Sequence, residues 1–187
     1  MKLSEKEKEK GGTMLGIHKS LEPVLIEEYE ENFELLVAEI KVNNKQLRVI
    51  TGYGPQENWT PIERMPFFTA LEEEISKAHM LGMEVVVELD ANSKLGPEYV
   101  TDDPHEMSQN GKVLSGIIER HALIVANSAV GKSKGLITRL RNTEKRLEQS
   151  VIDFVLISST MLSSLVFCHV DSKREHVLTK FTKNKRT

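Results

Sequence analysis

Two hydrophobic periods alternate along this chain. Apolar residues partly follow a period of two through Glu34–Lys41 and again through Gln46–Thr51, the spacing of strands with one buried face. Asn43-Asn44 lies between them as a turn signal, so residues 33–51 predict a hairpin, which Gly52-Tyr53-Gly54-Pro55 ends. From Pro61 to Leu81 the period becomes helical: Phe67, Phe68, Leu71, Ile75 and Ala78 share a face, and Gly82 is placed to stop the helix. Glu84–Leu89 then predicts a strand. Gly96–Asn110 is a polar loop with two prolines, Gly111–His121 a second amphipathic helix, and Ala122–Asn127 a strand. Leu136–Arg141 and Ser150–Ser158 bracket a charged turn and predict another hairpin, with Leu162–Val170 as a last strand. Near the start, Gly11–His18 predicts a strand entered through glycines, and residues 1–10 are a charged arm without pattern.

Composition narrows the class without naming a function. At 187 residues, the chain has the length of one domain or of part of a larger one. A net charge of −3 argues against a uniformly basic nucleic-acid binder, although local charge matters more than the sum. The single cysteine, Cys168, excludes an internal disulfide and sits in an apolar run. No apolar run approaches membrane-spanning length, and the Lys/Glu-rich start is no secretory signal, so a nuclear or cytoplasmic location and no membrane partner are expected. Gly131-Lys132-Ser133 imitates the end of a phosphate-binding loop, but Ala126 stands where that loop needs its first glycine.

The chemistry concentrates at strand ends. Val85-Val86-Val87-Glu88-Leu89-Asp90-Ala91-Asn92 is an apolar run ending in a carboxylate and a carboxamide two positions apart, and an extended backbone would point both to one side. Such a pair suits orienting a water and holding a phosphoryl oxygen; Asp and Asn after a strand also simply build turns. Tyr53 and Gln56 place a phenol and an amide at another strand end. Asn110-Gly111-Lys112 opens a helix whose backbone N–H groups are candidates for an anion. Asp153 interrupts the apolar strand Ser150–Ile157, where a lone carboxylate needs a partner such as a histidine, a metal or a nearby loop. Arg139, Arg141, Lys145 and Arg146 form a basic hairpin, which by itself also reads as a solvated surface.

Taken in order, Tyr-x-Pro, strand-Asp-x-Asn, Asn-Gly helix and Ser-x-Ile-Asp strand resemble the endonuclease/exonuclease/phosphatase superfamily over roughly residues 11–159. The closest look is to the endonuclease domains of non-LTR retrotransposons, relatives of apurinic-site endonucleases. Leu89-Asp90-Ala91-Asn92-Ser93-Lys94-Leu95-Gly96 is similar to their Gly-Asp-x-Asn-Ala-Lys-x-Gly, and Ser150-Val151-Ile152-Asp153 to their serine motif. The resemblance implies an α+β fold of the DNase I type, a four-layer α/β/β/α sandwich, over residues 11–187. It implies phosphodiester hydrolysis with Mg²⁺ or Mn²⁺, DNA or RNA as partner, and a mobile-element origin. Asp90 would orient or deprotonate the attacking water, and Asn92 would hold the scissile phosphate. Tyr53, Gln56 and Asn110 would contact phosphate, Asp153 would fix a catalytic histidine, and Arg139, Arg141, Lys145 and Arg146 would track the nucleic acid.

Two departures accompany the likeness. The family's N-terminal strand with its metal-binding Glu is absent, and the terminal Ser-Asp-His is answered only by Arg174-Glu175-His176, so His176 is the candidate histidine and the metal ligands are unassigned. An incomplete domain is therefore expected, with open sheet edges prone to self-association. Its activity is expected to be impaired; the alternative is an inactive remnant that serves as an interaction module. A phosphatase acting on inositol lipids or sphingomyelin would use the same constellation.

Overall fold

The computed structural model describes residues 13–29, 34–142 and 147–170. The arm at residues 1–10 and the candidate residues Lys145, Arg146 and His176 lie outside them. Strands β1 (Val24–Tyr29), β2 (Glu34–Val42), β3 (Lys45–Tyr53) and β4 (Glu84–Asp90) come first in sequence, with helix α1 (Pro61–Met80) between β3 and β4. Helix α2 (Gln109–Arg120) and strands β5 (Leu123–Val125), β6 (Ser133–Lys134), β7 (Arg139–Asn142), β8 (Leu147–Ser150), β9 (Asp153–Ser158) and β10 (Cys168–His169) follow.

Six strands form one mixed sheet in the order β1-β2-β3-β4-β9-β5, in which only β3 and β4 are parallel. The β3–α1–β4 crossover accounts for that pair: a parallel connection needs a helix to carry the chain back along the sheet. Asn43 and Asn44 close the β2–β3 hairpin with positive φ at both turn positions, a backbone that asparagine tolerates and that matches strand twist. Pro61 starts α1, where its missing N–H costs nothing, and the Glu63 carboxylate accepts the Thr60 N–H at 2.8 Å.

Both helices cover one face of the sheet. Ile50, Val85, Val87, Leu89, Phe154 and Leu156 meet Phe67, Leu71 and Ile75 of α1 and Leu114 and Ile117 of α2 in one buried cluster. Arg48 enters the same face and pairs there with Glu74 of α1 at 2.9 Å and with Glu39 of β2 at 2.5 Å. On the other face, Thr51, Glu88 and Val155 lie opposite one another across β3, β4 and β9. Cys168 and His169 of the small β6–β10 ribbon line a cleft together with those three residues. One six-stranded sheet and one helical layer are thus formed among the described residues, with two short ribbons beside them.

Four expectations change. Thr13–Ile17 keeps an alternation of half-buried and exposed side chains but joins no ladder among the described residues, whereas β1, unanticipated because its Val-Leu-Ile is followed by Glu-Glu, forms the sheet edge among them. Ser150–Ser158 is not one hairpin arm: β8 pairs with β7, and after Val151-Ile152 the chain enters the main sheet as β9. Residues 126–128 turn as a short 3₁₀ helix instead of continuing β5. Leu162–Val170 is mostly not strand: Val166 and Phe167, 90% and 55% exposed, have no sheet to pack on among the described residues.

Candidate active site

The sheet register brings three of the candidate side chains together. Tyr53 at the end of β3 lies opposite Asp90 at the end of β4, and Asp90 lies opposite Asp153 at the start of β9. They point away from the helices, because Gly52, Leu89 and Phe154, one position over, point toward them. Tyr53, Gln56, Asp90, Asn92, Thr138, Arg139, Ile152 and Asp153 line a cleft of about 320 Å³.

Asn92 reaches this cleft by a route that simple strand alternation does not give. The strand stops at Asp90, and Asn92 has φ +44°, a left-handed conformation that asparagine adopts more readily than most residues. Its N–H is donated to Asp90 Oδ1 at 3.1 Å, and its Nδ2 donates to the Gly54 carbonyl at 2.9 Å. The turn and the convergent polar pair are therefore one structure. Gly54 is required beside it: a Cβ there would stand 2.7 Å from the Ala91 carbonyl oxygen, and the Gly54 N–H bonds the Asp90 carbonyl at 2.6 Å.

The two carboxyls hold protons more tightly than ordinary aspartates. Burial raises Asp90 first and the neighbouring Asp153 charge adds to it, against the Asn92 N–H and the Arg139 charge. Burial likewise raises Asp153, opposed by a hydrogen bond from Thr138 and by Arg139. Gln56 Nε2 donates to Tyr53 Oη at 2.8 Å, which fills an acceptor position and leaves the phenolic O–H to donate elsewhere.

Thr138 and Asn127 were not singled out in the sequence, yet they set the position of Asp153. Thr138 Oγ1 accepts the N–H groups of Ile152 and Asp153 at 3.0 and 3.2 Å where the chain leaves the β7–β8 ribbon. Asn127 clips β9 from its other side, donating to the Asp153 carbonyl at 3.1 Å and accepting the Val155 N–H at 3.0 Å. Their only sequence signal was proximity to Arg139 and to the end of a short strand.

Asn110 and the start of α2 are not in the cleft lining. The Asn110 side chain is fully buried, donating to the Pro55 carbonyl at 2.8 Å and facing Arg64 Nη1 at 3.4 Å. The helix-end N–H groups proposed for an anion are already used. That of Asn110 goes to Glu57 Oε1 at 3.1 Å, that of Gly111 to Ser108 Oγ at 3.1 Å and that of Lys112 to the Ser108 carbonyl at 2.9 Å. Asn110 thus holds the loop that carries Gln56.

A hard divalent cation fits this donor set in one respect. Mg²⁺ takes oxygen ligands, keeps several waters, and is often held by only one or two protein carboxylates plus substrate phosphates. Asp90 and Asp153 supply two facing carboxyls whose raised proton affinity marks a place where positive charge is favourable. Among the described residues, no three His, Cys, Asp or Glu side chains form a ready-made metal cage.

No family model matches the chain, and no curated protein matches it in sequence. Solved structures do. It is similar to the endonuclease domain of TRAS1, a telomere-specific non-LTR retrotransposon, with a TM-score of 0.51 and 18% identity over 76% of this chain and 58% of that one. It is also similar to the AP endonuclease LMAP from Leishmania major, with a TM-score of 0.50 and 10% identity over 69% of this chain and 47% of that one. The chain therefore spans about half the length of these structures. No helix among the described residues is long and apolar enough to cross a membrane. With its mixed sheet, one-sided helices and strand-end cleft, the chain shares the DNase I-like α+β fold of these solved structures and is incomplete relative to them.

Proposed function

We propose that this chain is a metal-dependent phosphodiester hydrolase domain acting on DNA, of mobile-element origin. The observation that carries the reading is the row Tyr53–Asp90–Asp153, with Asn92 and Arg139 in the same cleft. Phosphodiester hydrolysis develops negative charge on the phosphoryl oxygens and needs a water held in line. In this reading Asp90 holds and orients the water. The free phenolic O–H of Tyr53 and the remaining N–H of Asn92 donate to phosphoryl oxygens, and Arg139 adds a fixed positive charge. Gln56 and Asn110 act by holding Tyr53 and its loop. Asp90 and Asp153 would hold Mg²⁺ or Mn²⁺, which when bound supplies Lewis-acid stabilisation of the transition-state charge. Arg141 extends the basic surface beyond the cleft.

Supercoiled plasmid incubated with the purified chain and Mg²⁺ tests this. The expected result is nicked circles, absent with EDTA and reduced ~10²- to 10⁴-fold by Asp90→Asn. Nicking that survives Asp90→Asn, or none at any protein concentration, overturns the hydrolase reading. DNA binding without any nicking would leave a binding module.

A further inference from the structure

We infer that a wider cleft beside the reactive one is a second phosphate subsite, in which His105, held by the buried Asp103 and flanked by Lys94, grips a backbone phosphate flanking the scissile one. The inference rests on the nucleic-acid reading above and deepens it. This cleft, about 890 Å³, shares Gln56, Asn92, Arg139 and Ile152 with the reactive cleft, so one strand of nucleic acid can occupy both.

Its wall is an arch built to be rigid. Residues 94–108 leave the end of β4 and return to the start of α2, and the arch is tied at its base. The Lys94 N–H is donated to Ser108 Oγ and the Ser108 N–H to the Lys94 carbonyl, both at 3.0 Å. A Cβ on Gly111 would stand 2.0 Å from the Lys94 carbonyl oxygen, so α2 is pressed directly against that base.

Within the arch Asp103 has a completely buried side chain. Its Oδ1 accepts the His105 N–H at 3.0 Å and pairs with His105 Nδ1 at 2.9 Å, while Oδ2 is buried with no partner among the described residues. A half-satisfied buried carboxylate is expensive for folding alone and asks for a positive partner. The ring beside it is His105: with Nδ1 turned onto Asp103, Nε2 is left for the cleft that the ring lines.

The rest of the lining points to the same ligand chemistry. Ser93, 1% exposed, lines the cleft, and its Oγ is buried without a partner among the described residues. Lys94 stands next to it, and Arg139 and Arg141 face the arch from the β7–β8 ribbon. Two carboxylates also line the cleft: Glu57 is turned onto the Asn110 N–H of α2, and Glu148 stands on β8. The Asn110, Gly111 and Lys112 N–H groups are already used, and the side chains named above supply donors to the cleft. A hydroxyl, an ammonium, an imidazole and guanidinium groups around an open groove suit a phosphate with its two exposed oxygens.

Fluorescence anisotropy with the full chain, in EDTA to prevent cleavage, tests the subsite. The probe is a fluorescein-labelled 20-base-pair duplex and a series of the same duplex, each with one methylphosphonate linkage. His105→Ala is expected to weaken binding ~3- to 10-fold and reduce the salt slope by about one. It should also abolish the sensitivity to methylphosphonate at one linkage while sparing the linkage whose sensitivity Arg139→Ala removes. Lys94→Ala should act at the same linkage as His105→Ala. Asp103→Asn should act there too, through the ring it holds, and His105→Gln replaces it if that variant fails to fold. An unchanged profile in His105→Ala, or a uniform loss at every linkage, overturns the subsite while leaving the reactive cleft intact. A wild-type chain that binds no duplex, or shows no sensitive linkage, overturns the nucleic-acid reading together with the subsite.

Discussion

The two faces of the six-stranded sheet differ in what they ask of their residues. On the helix side, Val87 and Leu156 are neighbours across β4 and β9, and both are fully buried against α1 and α2. One position along, Glu88 and Val155 face the other way, and one position beyond Leu89 and Phe154 the paired residues are two aspartates. The same backbone therefore carries a surface that water has left and a surface where charge is concentrated. The first holds the fold together; the second works against it, since burial and mutual repulsion raise the proton affinity of Asp90.

The contrast is sharpest within a single dipeptide. Phe154→Ala removes a ring that is 1% exposed at the centre of the helix-side core, and such truncations cost ~3–5 kcal/mol. That is a large part of the stability of an ordinary domain. Urea unfolding followed by circular dichroism should show the midpoint collapse. A loss below about 1 kcal/mol would mean that this face is not the stabilising one.

Between the two faces stands the loop that follows β3. Asn110 satisfies the Pro55 carbonyl from a fully buried position, so Asn110→Ala leaves a buried acceptor without its donor, at a cost of ~1–3 kcal/mol. Gln56 rides on the same loop and bonds Tyr53 at the end of β3, and plasmid nicking should fall with stability. Asn110→Asp keeps the shape, removes the N–H and turns a carboxyl oxygen on the Pro55 carbonyl, so its effect should be at least as large. Equal melting and nicking in Asn110→Asp and wild type would show that this bond does not hold the cleft.

The helix-side face was legible in the sequence because burial and hydrophobicity report the same thing there: Phe67, Phe68, Leu71, Ile75 and Ala78 were grouped by period, and all are buried. Asp90, Asn92, Tyr53 and Asp153 were legible as types of residue at strand ends, but their convergence depends on register, which local pattern does not encode. Asn110 was misplaced for a related reason. A helix-start asparagine looks the same in sequence whether it offers its N–H to a ligand or, as here, gives it to Glu57. Thr138, Asn127 and the Asp103–His105 pair were invisible because each matters through a backbone or side-chain partner brought close by tertiary packing.

Asp153, next to Phe154, should respond in the opposite sense. Its folded-state proton affinity is raised, so its contribution to stability is fully present below the ordinary value of 3.8 and is lost as pH rises through the raised one. Asp153→Asn removes that loss. The variant should be more stable than wild type at pH 7, by less than about 1 kcal/mol after solvent screening, with the gap closing as pH falls toward 3.8. Activity should be lost at the same time. A variant less stable than wild type at pH 7 would show that Asp153 is held by favourable contacts and is not strained by its surroundings.

The smallest effect belongs to the sheet's outer edge, where neither face is well covered. Val24, Leu25 and Ile26 of β1 are 58%, 61% and 40% exposed, and the outer side of this strand has no ladder partner among the described residues. An open edge with apolar side chains invites a second copy. Two features of the same strand oppose it: a register shift between Leu25 and Glu27 disturbs the ladder, and Glu27 puts charge on the edge. The balance points to weak association that appears only at high protein concentration. Leu25→Lys should leave the unfolding midpoint within about 0.5 kcal/mol of wild type, as for an exposed position, while adding the charge that natural edges use against pairing. Light scattering across a concentration series should then show the wild type's apparent mass rising and the variant's staying flat; if both stay flat, the bulge and the glutamate alone protect the edge.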